Sequence, residues 1–306
     1  MKRPQRLLAS RLAPLLLLAA AGCSAAASRV MADALASSGG VSWASDDDPE
    51  LVHDAVPFGL KTMEALLERH PDHEGLLLSL AAGFTQYGYA FVDAEADALE
   101  MAGKSGPARP VRDRARRMYL RARDYGLRGL EQRHAGIAAK LRGARDLEAP
   151  LAGLNKDDLP LAYWTAAGWA LAIGSGLGDM ALVAQLPAPG ALMQRALAID
   201  ETWDAGTLHE FFISWEPARS ATPAAFASAK RHLDRAVELS GGKRLGPWVA
   251  YAEAVAVPMQ DRAEFTRLLE RVLAADAQSD TPNRLANVLA QRRARILLDH
   301  ADDLFN

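Results

Sequence analysis

The residues whose types could support catalysis or ligand binding are concentrated in one stretch, residues 159–216. It holds four of the six tryptophans and the dipeptide His209-Glu210, which begins the zinc-protease motif His-Glu-x-x-His. Position 213 is an isoleucine where that motif needs its second histidine, so the sequence does not predict a zinc protease. No Ser/His/Asp set, carboxylate pair or metal-ligand cluster has a recognisable spacing elsewhere. We therefore predict no enzymatic activity and neither a metal nor a cofactor site.

The glycine-rich segment Gly174-Ser-Gly-Leu-Gly-Asp179 invites comparison with a phosphate-binding loop. Such a loop follows a strand, whereas a helix over 161–173 precedes this one, so we predict a helix C-cap and a turn. That helix is apolar on nearly all sides and should be buried. Trp164 and Trp169 stand five residues apart, about 140° around it, and so cannot share a face. One is expected to pack in the core while the other points into a groove.

The elements that position these residues are predicted to be helices throughout. Alanine and leucine dominate and β-branched residues are scarce. Residues 103–110 are predicted to separate two helices, the second of which runs over 111–134, and another helix is predicted over 204–215. A pattern of bulky residue, arginine and small residue recurs at Tyr119–Tyr125, Met193–Asp200, Leu233–Ser240 and Leu269–Asp276. The last two intervals, 40 and 36 residues, predict an all-α fold of tetratricopeptide-like hairpin repeats with additional helices, an α-α superhelix.

The N-terminus predicts the compartment. Residues 1–22 combine a basic start with an apolar run too short to span a bilayer, as in a signal peptide. Small residues before Cys23, the only cysteine, resemble a bacterial lipobox and predict lipidation of Cys23. An ordinary cleaved signal peptide is the alternative. We therefore divide the chain into a signal peptide (1–22), a lipidated tether (23–48) and one helical domain (49–306), whose first helix begins at Asp48-Pro49.

The net negative charge of the mature chain argues against a nucleic-acid partner. Removing residues 1–22 takes away four basic residues and no acidic ones, which leaves 31 Lys and Arg against 38 Asp and Glu. A mature chain with seven excess negative charges lacks the concentrated basic surface that nucleic-acid binding needs.

Several short motifs occur together in a fixed order. They are Tyr163-Trp164-x₄-Trp169, Gly206-x-x-His209-Glu210-Phe211, Ala229-x-x-His232-Leu233-x-Arg235-Ala236, Asn283-Arg284-Leu285-Ala286-Asn287, Gln291-Arg292-Arg293-Ala294 and Asp302-Asp303-Leu304-Phe305. With the lipobox, this set resembles the T-component (TatT) family of tripartite ATP-independent periplasmic (TRAP) transporter systems. The resemblance covers roughly residues 45–306.

The resemblance implies a non-enzymatic periplasmic lipoprotein that serves a TRAP-type solute uptake system. Its partners would be the substrate-binding P-component, the membrane through its N-terminal lipid, and further copies of itself, with a trimer as the family precedent. Known lipoprotein sorting, with Ser24 rather than Asp after the cysteine, indicates the periplasmic face of the outer membrane. The resemblance also implies a channel through the helical fold that holds a hydrophobic, carboxylated ligand.

On this resemblance we expect four aromatic residues to face the ligand: Trp164, Trp169, Phe211 and Trp248. His209 and Arg284 are expected to be the polar partners of a ligand carboxylate. Core packing is the alternative for each aromatic side chain, and a structural hydrogen bond is the alternative for His209. Two further functions remain open, a repeat scaffold for envelope assembly without a small-molecule site and an envelope enzyme that uses His209-Glu210.

Overall fold

The computed structural model describes residues 28–37 and 43–305. Cys23, the predicted lipidation site, lies outside these ranges. In the described part of the chain every regular element is helical, as the sequence predicts. The helices are α1 (28–37), α2 (Pro49–Arg69), α3 (Glu74–Tyr87), α4 (Ala94–Met101), α5 (Ser105–Arg133), α6 (Ile137–Gly143), α7 (Glu148–Ala152), α8 (Leu159–Gly174), α9 (Met180–Val183), α10 (Pro187–Ile199), α11 (Thr207–Arg219), α12 (Pro223–Ser240), α13 (Gly246–Tyr251), α14 (Arg262–Ala274), α15 (Arg284–Asp299) and α16 (Ala301–Leu304).

Two π-helical segments interrupt otherwise continuous helices. Gly88–Asp93 lies between α3 and α4, and Ala252–Ala256 directly follows α13. A π segment inserts an extra residue into a helical turn and so changes the direction in which nearby side chains point. Such segments occur frequently at functional sites.

Local sequence accounts for the first hairpin. The Asp48 side chain accepts a hydrogen bond from the Leu51 amide and Pro49 opens α2, which confirms the predicted helix start. A short turn containing Pro71 separates α2 from α3, and the His73 ring caps α3 by accepting from the Leu76 amide. Because the connection is short, α2 and α3 pack directly against each other.

Helices α3, α5 and α8 form the centre of the N-terminal core. Their contacts are closest at glycines: a Cβ atom on Gly126 would lie 2.0 Å from Thr165 Oγ1, and one on Gly129 would lie 2.7 Å from a Leu161 methyl group. Trp169 is fully buried in the same core. Helix α8 is buried on most sides, as its composition predicts.

A second core occupies the C-terminal part of the chain, built chiefly by α12 to α15 and the π segment after α13. In both cores the recurrent arginine pattern has a structural correlate. The residue that follows each arginine, Ala122, Ala196, Ala236 or Val272, is fully buried. A small side chain at a helix contact allows the neighbouring helix to approach closely.

The two ends of the domain meet. Helix α15 contacts α2, where Arg292 and Glu50 form an ion pair with an N–O distance of 2.5 Å. Arg293 on α15 lies 3.0 Å from Asp97 on α4. Leu285 of α15 packs against the N-terminal core, and Met101 packs against the C-terminal core. Helices α2 and α15, which lie at opposite ends of the helical domain in sequence, are therefore neighbours in the structure.

Helix α1 packs on the α2–α3 hairpin. The hydroxyl of Ser28 lies 2.9 Å from His70 Nε2, and Asp33 Oδ1 lies 3.0 Å from His73 Nε2. Ser79 also donates a hydrogen bond to the Ala36 carbonyl. Part of the predicted tether is thus attached to the helical domain.

Two predicted helix boundaries are wrong. Residues 103–110 do not separate two helices fully, because α5 begins at Ser105 and contains Pro110, whose missing N–H removes one helical hydrogen bond near its start. The helix predicted from Asp204 begins at Thr207 instead. Asp204 and Ala205 have φ values of 47° and 51°, a left-handed conformation that an α-helix cannot contain.

By length and composition alone, one helical stretch among the described residues, Glu74–Met101, could cross a membrane. Half of its most apolar window is buried inside the protein, and Leu76, Leu77 and Leu80 are fully buried in the N-terminal core. Core helices of soluble proteins meet the same criterion, so this stretch is weak evidence for a membrane span.

Candidate functional site

Both π segments contribute side chains to one polar site between the two cores. Glu253, in the second π segment, pairs with Arg293, whose Nη2 lies 2.5 Å from Glu253 Oε1 and 3.0 Å from Asp97 Oδ2. Burial raises the pKa of Glu253, and Arg293 opposes that increase. Tyr89 lies in the first π segment, and the Glu253 carboxylate contributes to the raised pKa of its hydroxyl, while Arg293 lowers it. One side chain of each π segment is therefore within electrostatic range of the other.

Tyr89 has an unusual environment. Its side chain is 60% exposed, yet loss of surrounding water raises the pKa of its hydroxyl to about 12, with the Glu253 carboxylate adding to the increase. A side chain that is mostly exposed is usually well hydrated, so its accessible surface and its raised pKa disagree. The two observations are compatible if Tyr89 projects into a recess that solvent can enter but that protein atoms surround. We infer such a recess at this position.

A second set of charges lies around α8 and α11. Glu210 Oε1 lies 2.7 Å from Arg244 Nε, although this buried oxygen accepts no hydrogen bond from the protein. Arg244 Nη1 donates to the carbonyl and the carboxylate of Asp204. Burial raises the pKa of Glu210 to about 7 despite the opposing charge of Arg244. Proximity to a cation without a hydrogen bond leaves this carboxylate poorly stabilised.

Tyr163 on α8 lies within electrostatic range of both sets. Burial and the Glu210 carboxylate raise the pKa of its hydroxyl and Arg244 lowers it, and ionisation of Tyr89 would raise it further. We call the region bounded by Tyr89, Tyr163, Glu210, Arg244, Glu253 and Arg293 the central chamber. Its members belong to six segments of the chain, from both halves of the fold. Among the described residues, neither tyrosine hydroxyl has a hydrogen-bond partner.

The six residues that define the central chamber supply two carboxylates, two guanidinium groups and two phenols. Apolar faces combined with a few convergent polar groups are typical of small-molecule sites. In the described ranges, no group of three or more His, Cys, Asp or Glu side chains could hold a metal ion.

The six predicted ligand residues occupy different environments. Trp164 is half-buried and its ring lies 4.8 Å from that of Tyr163, edge to face, so it adjoins the central chamber. Phe211 is half-buried next to Glu210 and stacks on Trp215 at 5.0 Å. These two aromatic residues are therefore near enough to the chamber to extend its apolar surface.

Two other predicted aromatic residues pack in cores. Trp169 is fully buried, and its indole N–H donates to Gln185 Oε1 at 3.1 Å. Trp248 is 8% exposed and belongs to the C-terminal core, with the guanidinium of Arg271 4.1 Å above its ring. Both environments correspond to the core alternative considered from the sequence. Ligand contact by either residue stays a prediction.

His209 takes part in a buried polar pair. Its Nδ1 lies 2.8 Å from His232 Nδ1, so one ring donates and the other accepts, and its Nε2 lies 3.2 Å from Glu201. Burial lowers the pKa of His209 and lowers that of His232 to about 4, to which the neighbouring ring contributes. Two neutral imidazoles joined in this way connect α11 to α12. This geometry fits a structural role for His209.

Arg284 lies at the start of α15. Its Nη1 donates to the Ser45 carbonyl and its Nη2 to the Thr281 hydroxyl, both at 3.3 Å. A role for Arg284 and His209 as partners of a ligand carboxylate stays a prediction.

Most residues of the chamber carry no signal in the sequence. Tyr89, Arg244, Glu253 and Arg293 lie far apart in the chain and share no spacing pattern. Glu210 stands out in the sequence only as part of the incomplete zinc motif. A detectable signal was the placement of single charged residues in apolar helical stretches, such as Glu253 in the segment Val249–Val257.

A separate open groove of about 860 Å³ lies on the outside of the N-terminal half. Arg109, Arg112 and Arg116 of α5 line one side, and the predicted turn after α8 lines the other. Leu177 and Met180 on that turn are 69% and 73% exposed. The turn is confirmed, since α8 ends at Gly174 and the Asp179 side chain caps the short helix α9.

Comparison with known proteins completes the description. A family model described as TRAP transporter T-component matches residues 45–305. The chain is also 28% identical over 277 residues to a protein of Treponema pallidum (strain Nichols) described as uncharacterized. That alignment covers 86% of this chain and 82% of the Treponema protein.

Proposed function

Because the chain belongs to the TRAP transporter T-component family, we propose that it is a non-enzymatic accessory of a TRAP-type solute uptake system in the cell envelope. In this proposal it binds the substrate-binding P-component of that system and holds a small molecule with a substantial apolar part in the central chamber. Trp164 and Phe211 extend the chamber's apolar surface, and His209 acts through its bond to His232, which holds α11, and with it Glu210, against α12.

The observation that carries the proposal is the central chamber itself. Accessible aromatic and charged side chains converge there from both halves of the chain, and the ion pairs of Arg292 and Arg293 join those halves. A purely structural interior would favour apolar side chains, because partly dehydrated charges such as Glu210 cost free energy. Retaining them where solvent can enter is expected of a site that exchanges a ligand.

The helical packing supports a repeat architecture. A fully buried small residue follows the arginine in three successive copies of the sequence pattern, at Ala122, Ala196 and Ala236. We propose that the hairpins are degenerate tetratricopeptide-like repeats.

We propose that Cys23 carries the lipid and that the outer membrane holds the domain on its periplasmic face. Residues 1–22 are then removed, and residues 49–306 form the functional domain. Ser28 in α1 is five positions after Cys23, which allows a distance of at most about 18 Å between them. Because α1 is bonded to His70 and His73, the α2–α3 turn would stay close to the membrane surface.

Lipidation is tested by intact mass spectrometry of protein purified from membranes. We expect a mature chain that begins at Cys23 and carries acyl groups, and a Cys23→Ser variant that keeps residues 1–22. An unmodified mature chain would contradict the anchor and support the ordinary signal peptide.

Partner binding is tested with the purified P-component encoded in the same genome. The full lipoprotein in mild detergent should bind it saturably and should not bind an unrelated periplasmic binding protein. A chain that binds no P-component of its organism would contradict the accessory role. Light scattering of the same preparation tests the trimer, which is part of the proposal.

The alternative is a repeat scaffold for envelope assembly without a small-molecule site. Native mass spectrometry of gently purified protein separates the two functions. A reproducible co-purified small molecule supports the transport accessory, whereas a ligand-free protein that binds no P-component supports the scaffold.

A further inference from the structure

We propose that the outer face of α2 binds α2 of a second copy of the chain, with the two helices antiparallel and related by a two-fold axis. This contact requires neither a small-molecule ligand nor the P-component, so it goes beyond the proposed function. It also differs from the trimer that the family resemblance implies, because a two-fold contact joins copies in pairs. A row of exposed apolar residues, their spacing and the charges beside them carry the inference.

Helix α2 presents apolar side chains on two faces. Its inner face packs in the N-terminal core through these buried residues: Val52, Val56, Leu60, Met63, Leu66 and Leu67. On the outer face Phe58 is 79% exposed, the largest fraction for a large apolar side chain in the described ranges, and Leu51 is 59% exposed. Single exposed apolar residues are common, but a contiguous row of them indicates a contact surface.

The outer row has the spacing of a helix-pairing seam. Leu51, Ala55, Phe58 and Thr62 follow one another at intervals of four, three and four residues, which is the alternation of a coiled coil. These positions lie within about 60° of one another around the helix and extend over about 16 Å. In an antiparallel pair, Phe58 of one copy faces Ala55 of the other, and Leu51 faces Thr62. A two-fold axis produces each of these contacts twice.

The charges beside the row are complementary in the same arrangement. Asp54 and Lys61 flank one side of the row, seven residues apart, and their side chains are 82% and 68% exposed. The antiparallel register that matches the apolar residues places Asp54 of each copy opposite Lys61 of the other. The surface therefore matches a second copy of itself, both in its apolar row and in its charges.

The orientation of the two helices also follows from these charges. In a parallel two-fold pair each residue faces its own counterpart, so Asp54 would not reach Lys61, and like ends of the helix dipoles would lie side by side. In the antiparallel pair both ion pairs form and opposite dipole ends are adjacent. Only the antiparallel arrangement uses the charges of this face.

Neighbouring groups leave both charges able to pair. Lys61 contacts Glu64 on its own helix, and an ammonium group with three N–H donors can bind a second carboxylate. Arg121 also lies 3.5 Å from Glu64, so the surroundings of Lys61 stay positive. His53 Nδ1 lies 2.8 Å from one oxygen of Asp54, which leaves the other oxygen as an acceptor.

Charges beyond the row do not favour another register. Glu68 and Arg69, near the end of α2, would approach the acidic residues 46–48 of the second copy, and their opposite signs offset each other. Glu50, at the start of α2, is already paired with Arg292. The register is therefore determined by the apolar row and by the two ion pairs beside it.

Charge reversal tests the contact by sedimentation equilibrium of the full chain in density-matched detergent. Wild type should associate with a dissociation constant of about 10–100 µM, because three helical turns form an interface below standard size. The copy number should be two, or six if a trimer forms through another surface. Asp54→Lys and Lys61→Asp each place like charges at both contacts and should weaken pairing at least about tenfold. An equal mixture of the two variants should restore pairing, because each supplies the charge that the other lacks.

Control variants exclude general effects of charge and apolar surface. Glu270→Lys makes the same charge change as Asp54→Lys on an exposed position of α14 and should have no effect. Phe58→Ser should weaken pairing at least about tenfold, whereas Met180→Ser, at a side chain that is 73% exposed outside α2, should not. All these variants should unfold at nearly the wild-type temperature, because the changed side chains are exposed.

Disulfide formation tests the register. Oxidation of a mixture of Leu51→Cys and Thr62→Cys proteins should link the two variants, because these positions face each other across the pair. Neither variant alone should form this link, since each position lies about 16 Å along the helix from its own counterpart. Each variant alone is also the control for linkage through Cys23, the native cysteine.

The opposite results would overturn the inference. They are a wild-type chain that stays monomeric up to about 1 mM, a trimer that the α2 variants leave unchanged, a mixture of charge-reversed variants that does not associate, and a disulfide formed by one cysteine variant alone. P-component binding, measured separately, still decides the proposed function.

Discussion

Helix α8 borders two regions with opposite character. On one side Trp169 is fully buried in the N-terminal core, where glycines bring α5 and α8 into close contact. On the other side Tyr163 and Trp164, half-buried, adjoin the central chamber among charged groups. Both regions are rich in aromatic residues, so aromatic content by itself does not identify the binding site. Accessibility and paired charges distinguish them.

The contrast between the N-terminal core and the central chamber predicts that substitutions in the core affect folding stability, whereas substitutions in the chamber affect ligand binding. In the core, changes of volume should affect folding, because close-packed side chains leave no room and no solvent to fill a gap. In the central chamber, the same changes should affect ligand affinity and leave folding nearly intact. Each of the following predictions compares a core change or a chamber change with a matched control.

The largest expected effect is that of Trp169→Ala. Removing a fully buried indole, together with its bond to Gln185, should destabilise the protein by about 3–5 kcal/mol, since a large cavity remains. Chemical denaturation measures the loss. Trp164→Ala, half-buried five residues earlier, should cost clearly less. Equal losses would show that the two sides of α8 do not differ.

The second prediction concerns packing at glycine. In Gly126→Ala the new methyl group would lie 2.0 Å from Thr165 Oγ1, so α5 and α8 must separate, at a cost of about 1–3 kcal/mol. Gly106→Ala lies on the same helix with open space around it and should be neutral or slightly stabilising. A neutral Gly126→Ala, measured by thermal unfolding, would contradict the close contact.

The third prediction concerns pH and the chamber. Because Glu210 has a pKa of about 7 in the folded protein and a lower one when unfolded, the folded state binds more protons between about pH 4.5 and 7. Its contribution to stability is therefore favourable at low pH and is lost as the pH rises through 7.

The Glu210→Gln variant isolates this contribution. Relative to wild type it should gain about 1–3 kcal/mol of stability between pH 5 and pH 8, as measured by denaturant unfolding at both values. A difference between the two proteins that does not depend on pH would show that Glu210 keeps an ordinary pKa.

The smallest expected effect on stability is that of Tyr89→Ala. With 60% of the side chain exposed, this substitution should change the free energy of unfolding by no more than about 0.5 kcal/mol. Tyr119→Ala is the matched core change, since Tyr119 is fully buried, and should destabilise strongly. A large loss for Tyr89→Ala would place that residue in the core and remove it from the chamber.

The core was more predictable from sequence than the chamber. The helical class, the start of α2 at Asp48-Pro49 and the burial of α8 follow from composition, capping residues and periodicity, which are local properties. The buried alanines after the recurrent arginines also match a pattern visible in the chain. Helix boundaries failed where a local conformation departs from the average, as at Asp204 and Ala205 with positive φ.

The chamber depends on contacts that no local pattern encodes. Tyr89 and Glu253 influence each other electrostatically although 164 positions separate them in the chain. The His209 pair illustrates the same limit: the missing zinc ligand was visible at Ile213, but its actual partner, His232, lies on the next helix. The sequence indicates which residue types could be functional, but it does not predict which residues become their neighbours in the folded protein.

The most direct test is an experimental structure of the gently purified lipoprotein with its co-purified small molecule, at a resolution that reveals ligands. The account predicts ligand density beside Tyr89 and Tyr163 in the central chamber, and an intact Trp169 core. Ligand density only in the outer groove beside Leu177 and Met180, with an unoccupied chamber, would contradict it.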